Sequence, residues 1–202
     1  MDPKERKRRV EHHLEEIRRL EETPTAEGDE SSWPPSGFYL VWHIMVGMAL
    51  GTLAAAVSLV ANVVGGPLFG HKPLDLIRVY LTFPMGERAL AVEEGVVLTI
   101  GCGLYLVTGA LFGVLLHLVF TTYFRNASPV RRFMISTAMG LGLWVTSFYL
   151  VLNWLQPLLL GGDWIVAMIP WWVGALTHLT FTWTLGVGEM WGRFEPYERS
   201  ST

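Results

Sequence analysis

FYLVWHIMVGMALGTLAAAVSLVANVV, residues 38–64, runs for 27 residues without an Asp, Glu, Lys or Arg. A helix rises ~1.5 Å per residue, so about 20 residues cross a hydrocarbon core of ~30 Å. This stretch is long enough to do so. Charge is excluded from it because an isolated ion in lipid costs several kcal/mol or more, in the range of about 2.5–3.5 on insertion scales. The reading is a transmembrane helix, and it is too long for the apolar core of a cleaved leader.

Outward from it, three further segments read the same way: residues 95–121, 133–160 and 164–187. None contains a charged side chain. The expected fold is therefore all-α, an integral membrane four-helix bundle of up-down topology. The chain divides into 1–37, a helix plus linker, 38–187, the membrane domain, and 188–202, a tail. Of the 202 residues 51% are hydrophobic and 16% charged, and the charges lie outside the four segments.

Basic residues set the orientation. Lys4, Arg6, Lys7, Arg8 and Arg9 precede the first segment. Arg125, Arg131 and Arg132 separate the second and third, and Arg193 and Arg199 follow the fourth. The other two loops hold only Lys72, Arg78 and Arg88. The positive-inside rule puts both termini on the cytoplasmic side of a cell inner (plasma) membrane.

The tail 3–22 reads as a soluble helix with a narrow apolar stripe of Val10, Leu14, Ile17 and Leu20. Short helices are marginal unless packed, so this one is a docking element for a partner subunit or a solvated helix. TPTAEGDESSWPPSG, 23–37, is linker, since Pro34-Pro35 forbids helix there. In the loop 66–94, LDLIRVYLT (74–82) carries apolar residues beside a polar edge of Asp75, Arg78 and Thr82. That pattern predicts a short helix lying in the outer interface.

Several classes are excluded. Cys102 is the only cysteine, so this chain alone makes no disulfide and no four-cysteine cluster. A net charge of −3 with one small basic cluster does not suit a nucleic-acid partner. No catalytic motif of the His-Glu-x-x-His, P-loop or Gly-rich dinucleotide kind is present. With no charge in the segments, no buried carboxylate is expected to relay protons. Asn62 and Asn153 fall near the outer ends of their segments, where they would meet through a hydrogen bond worth about 0.6 kcal/mol.

Three histidines do lie in the apolar segments: His43, His117 and His178. Counting from the segment ends puts His43 and His117 near one depth at the inner end, with His178 one to two turns deeper. Glycines accompany them at helical spacing. Gly47 and Gly51 follow His43, Gly109 and Gly113 precede His117, and Gly174 precedes His178, with Thr182 and Gly186 on the same face. Two readings compete. In one, His43 and His117 are axial ligands of a b-type haem and the glycines leave room for the macrocycle. That would resemble the small haem-carrying anchor subunits of quinone-linked oxidoreductases. In the other, the glycines let helices approach closely and the histidines hydrogen-bond across the bundle. With 21 glycines in the chain, a glycine four residues from each histidine needs no special cause.

The leading functional expectation is a non-catalytic accessory subunit of a larger membrane complex, respiratory or electron-transferring in kind. Its partners would be the bilayer and other membrane subunits. A haem b or quinone-binding anchor is the alternative, and a small channel or carrier is the third.

Overall fold

A computed structural model describes residues 5, 6, 9, 12–15, 37–93 and 95–192. The chain forms two compact units, Met1–Phe38 and Tyr39–Thr202. In the first, the described residues 5, 6, 9 and 12–15 are helical. Glu5 and Arg9 pair at 3.5 Å on an exposed surface. Of the apolar stripe only Leu14 lies among the described residues, and it is exposed. The linker and the tail beyond Gly192 lie outside the described residues, as does the rest of the docking stripe.

The secondary structure of the second unit is all helix joined by short turns, with no strand among the described residues. Its first helix, α1 (Phe38–Gly65), covers the quoted stretch and runs on through a 3₁₀ turn, Gly66–Phe69. Gly70 ends it at φ 78°, a left-handed conformation that favours glycine. Two short helices follow, α2 (Asp75–Tyr80) and α3 (Thr82–Met85). A 3₁₀ turn, Gly86–Ala91, leads to α4 (Val96–Tyr123). α5 (Pro129–Val145) begins at a Ser-Pro signal: the Ser128 hydroxyl accepts from the Arg131 backbone N–H and Pro129 takes the first helical position. α5 passes through a π-helical stretch, Thr146–Leu152, into α6 (Asn153–Leu160).

Among the described residues, three stretches are long and apolar enough to cross a membrane: Phe38–Phe69, Val96–Tyr123 and Pro129–Leu160. No more than 33% of the apolar window of any of them is buried within the chain. Side chains such as Leu40, Met45, Leu53, Val60, Leu111 and Leu115 point outward instead. An apolar surface of that extent belongs against lipid or other protein.

The fourth expected segment departs from a single kinked helix. It is two helices, α7 (Trp164–Met168) and α8 (Trp171–Trp191). Ile169 and Pro170 between them are extended, with ψ of 115° and 136°. Pro170 forces this by disfavouring helical geometry at the residue before it and by offering no N–H of its own. Asp163 stands at the N-cap of α7, but its side chain makes no capping bond.

The long helices pair antiparallel in three combinations. α1 runs against α4, since His43 meets His117, Gly47 meets Val114 and Ser58 meets Tyr105. α5 runs against α8, since Ser136 lies by Gly186, Gly140 by Thr182 and Phe148 by Gly174. α1 runs against α8, since Leu50 lies by Gly188 and Ser58 bonds the Thr177 carbonyl.

Residues 74–82 form α2 and the start of α3, with their apolar side packed inward. Ile77 and Leu81 are 0% and 2% exposed. They pack on Gly101 of α4, where an added Cβ would come within 2.7 Å of Ile77 Cγ2. Of the polar edge, Asp75 and Arg78 stay partly exposed and pair with each other, and Thr82 turns inward. Thr82, wholly buried, accepts from Gln156 Nε2 at 2.9 Å, and Gln156 Oε1 accepts the Ile165 backbone N–H at 3.0 Å. This network ties the loop to α6 and α7. Asn62 pairs with Thr177 at 3.2 Å rather than with Asn153, which is exposed.

Candidate functional site

The two glycine faces read from the sequence meet each other. A Cβ on Gly47 would stand 2.6 Å from Val114 Cα, and one on Gly51 would stand 2.6 Å from Gly113 Cα. Gly109 lies against Ala55 of α1 and also faces Phe181. Backbone therefore touches backbone along this stretch of α1 and α4, a spacing that no larger residue permits. Gly174 is elsewhere, under the Trp144 and Phe148 side chains.

This approach brings His43 and His117 together. His43 Nδ1 and His117 Nε2 are 3.0 Å apart, and the ring centroids are 5.2 Å apart at 40°. The two imidazoles are bonded directly to each other. The facing helix fills the glycine faces on either side. His178 does not join the pair. Its Nδ1–H donates to the Gly174 carbonyl at 2.8 Å, and its ring stands edge-on to Phe148.

His117 has a second partner that corrects the expectation of no buried carboxylate. α8 continues four residues past the apolar stretch, to Trp191, and carries Glu189 into the packed end of the unit. Glu189 is 7% exposed and its Oε1 lies 2.5 Å from His117 Nδ1. His117 itself is wholly buried. Both of its ring nitrogens thus have side-chain partners, in the order Glu189, His117, His43.

A polar cavity of about 490 Å³ opens at this end, bounded by His117 and Glu189 together with Thr121, Arg125, Asn126 and Arg132. Arg132 frames it by donating to three carbonyls, those of Ala127, Arg125 and Glu189. The guanidinium closes the α4–α5 connection against the end of α8, where free carbonyls favour a cation.

The triad is a hydrogen-bonded chain with two self-consistent arrangements. With Glu189 ionised, its oxygen accepts from His117 Nδ1–H, and His117 Nε2 accepts from His43 Nδ1–H. With Glu189 protonated, it donates to His117 Nδ1, and His117 Nε2–H donates to His43 Nδ1. A neutral imidazole carries one donor and one acceptor, so each ring swaps tautomer between the two states. Moving every proton by one bond carries a net proton along the chain.

A second polar layer sits towards the other end of α1. Ser58, wholly buried, donates to the Thr177 carbonyl and meets the Tyr105 hydroxyl at 3.1 Å. Fifteen residues separate His43 from Ser58, which is about 22 Å along the helix. Between the layers lie the Gly51–Gly113 approach and the buried Ala54, Ala55, Phe181 and Leu185.

Among the described residues, no group of three or more His, Cys, Asp or Glu is arranged to hold a metal ion. Comparison with known protein families, curated proteins and solved structures finds no match.

Proposed function

We propose that this chain is an accessory integral-membrane subunit that exchanges protons at its Glu189–His117–His43 chain, within a larger complex of the electron-transfer kind. The observation that carries the reading is the Glu189–His117 hydrogen bond, a buried carboxylate on a buried imidazole at the foot of a polar cavity. Ionisable groups placed inside a membrane protein are costly and mark proton or ion pathways. In this reading α8 is the fourth span of an up-down bundle, both termini face the cytoplasm, and the cavity draws on cytoplasmic water. A proton taken up at His43 Nε2 releases Nδ1–H to His117. His117 passes its own Nδ1 proton to Glu189, and Glu189 releases it to the cavity; the reverse order runs equally.

The packed layer between the two polar levels supports a subunit role over a carrier. It leaves the relay open at one end of the bundle and no polar file through the middle. The respiratory assignment rests on the general use of such relays beside redox centres. It is an analogy of architecture.

Infrared spectroscopy of the purified protein tests the relay. A carboxyl band that follows pH and hydrogen–deuterium exchange, vanishes in Glu189→Gln and shifts in His117→Ala is the expected result. A carboxyl band indifferent to His117→Ala would sink it. Gentle purification with mild cross-linking tests the subunit role: recovery of partner subunits is expected, and a lone monomer would count against it.

A further inference from the structure

The break between α7 and α8 leaves a notch at the other end of the unit, and the 3₁₀ turn after α1 forms its opposite wall. Together they enclose a second cavity of about 460 Å³. That is within the ~300–1,000 Å³ typical of small-ligand sites. Its wall is apolar, with Phe69, Met168, Trp172 and Leu176 among the residues lining it. Phe69 and Trp172 stand edge to face at 5.0 Å. Phe69, Met168 and Leu176 are also 63%, 49% and 49% exposed, so the mouth is rimmed by exposed apolar side chains.

Polar groups occupy two places around this cavity, and they differ in kind. At the floor, Asn62 and Thr177 are hydrogen-bonded to each other, and Asn62 also donates to the Ser58 carbonyl. The floor does not call for a polar ligand atom. At the lip stand His71, Lys72, Asp75 and Arg78. Arg78 is held by Asp75 at 2.6 Å and by the Val92 carbonyl. Lys72 is different: its side chain is 63% exposed and its one ion pair among the described residues, with Glu93 at 3.5 Å, is itself exposed. Exposed pairs of this kind are weak, ~0–1 kcal/mol, and exchange readily for a better anion. His71, 3.8 Å from Asp75, stands beside it.

We infer that this cavity holds one membrane phospholipid, an acyl chain against Phe69, Trp172 and Leu176 and the anionic headgroup at Lys72 and His71. Charge at the lip, a satisfied floor and an apolar mouth match an amphiphile with one charged end. They do not match a ligand that must hydrogen-bond at depth, such as a quinone ring. The site rests on the membrane placement proposed above and is independent of the relay, which lies at the opposite end of α1.

The test uses the full chain in maltoside detergent, with phosphatidylglycerol and phosphatidylcholine as probes, read by native mass spectrometry. One phosphatidylglycerol retained per chain at low molar excess is the expected result. Leu176→Trp fills the cavity and should weaken retention at least ~10-fold. Lys72→Glu, on an exposed side chain, should erase the preference for phosphatidylglycerol over phosphatidylcholine while leaving the circular dichroism spectrum unchanged. Folded protein that retains no lipid overturns the inference. So does retention that neither variant changes, or retention of an uncharged amphiphile in place of phospholipid. A chain that fails to insert into detergent or bilayer overturns the membrane placement instead, and the two failures are distinct.

Discussion

At the scale of single residues, Glu189 changes the chemistry of the whole unit. It sits two positions past the last residue of the predicted fourth segment, so a rule that looks for charge inside apolar stretches passes it by. The stripe Gly174, His178, Thr182, Gly186 steps by four along one face, and one further step of three reaches Glu189. That continuation is the signal in the sequence, but it becomes decisive only when α4 places His117 opposite. Glu189→Leu leaves the buried His117 Nδ1–H without an acceptor, which costs about 1–3 kcal/mol. The expected readout is a lower melting temperature in detergent, with Glu189→Gln recovering part of the loss because its amide oxygen still accepts. Equal loss in both variants would remove the hydrogen bond from the account. Ser136 gives the opposite sign. Its hydroxyl is buried, pressed against Gly186 and without a partner. Ser136→Ala removes an unsatisfied polar group, so unchanged or higher thermal stability is expected, and a clear loss would show a bond that the geometry lacks. The direct His43–His117 bond also predicts a reduced-minus-oxidised spectrum silent in the Soret region; a b-type haem band at full occupancy would require these two rings to part.

At the scale of elements, the long helices were legible because hydropathy over 25 or more residues leaves few alternatives, and their ends shift only slightly from those expected. The loop 66–94 was not. Its pattern of apolar residues beside Asp75, Arg78 and Thr82 fits an interfacial helix; Asp75 and Arg78 pair with each other locally, yet Thr82 finds a buried partner in Gln156 of α6, 74 positions away in the chain. Long-range pairing of polar side chains leaves no periodic trace, so propensity and pattern cannot report it. The same holds for the π-helical stretch, which carries Phe148 into the core beside His178. The Thr82–Gln156–Ile165 network predicts coupling. Thr82→Val strands one Gln156 donor, and Gln156→Leu strands the Ile165 N–H as well. Each should destabilise by about 1–3 kcal/mol, and the double variant should cost less than the sum by ~0.5 kcal/mol or more. Strict additivity in a double-mutant cycle would mean that the loop is held by Ile77 and Leu81 alone.

At the scale of the molecule, two polar layers stand towards opposite ends of α1, joined by a middle in which α1 and α4 touch through glycine. The seal depends on small residues. Gly51→Leu would drive a branched side chain into the Gly113 backbone, which cannot give way as a flexible side chain can. Overpacking of this kind costs about 1–3 kcal/mol and pushes the helices apart. Two outcomes follow from one seam. The wild-type chain reconstituted alone in vesicles should pass no small solute, since no polar file links the cavity at Glu189 to the Ser58–Tyr105 layer. Gly51→Leu should loosen the His43–His117 contact together with the seal, because both sit on the same helix pair within three turns. The measurement is vesicle flux beside the infrared carboxyl band of Glu189. Flux through the wild-type chain would move the function to the carrier class. A Gly51→Leu variant with an undisturbed carboxyl band would separate the relay from the seam that positions it.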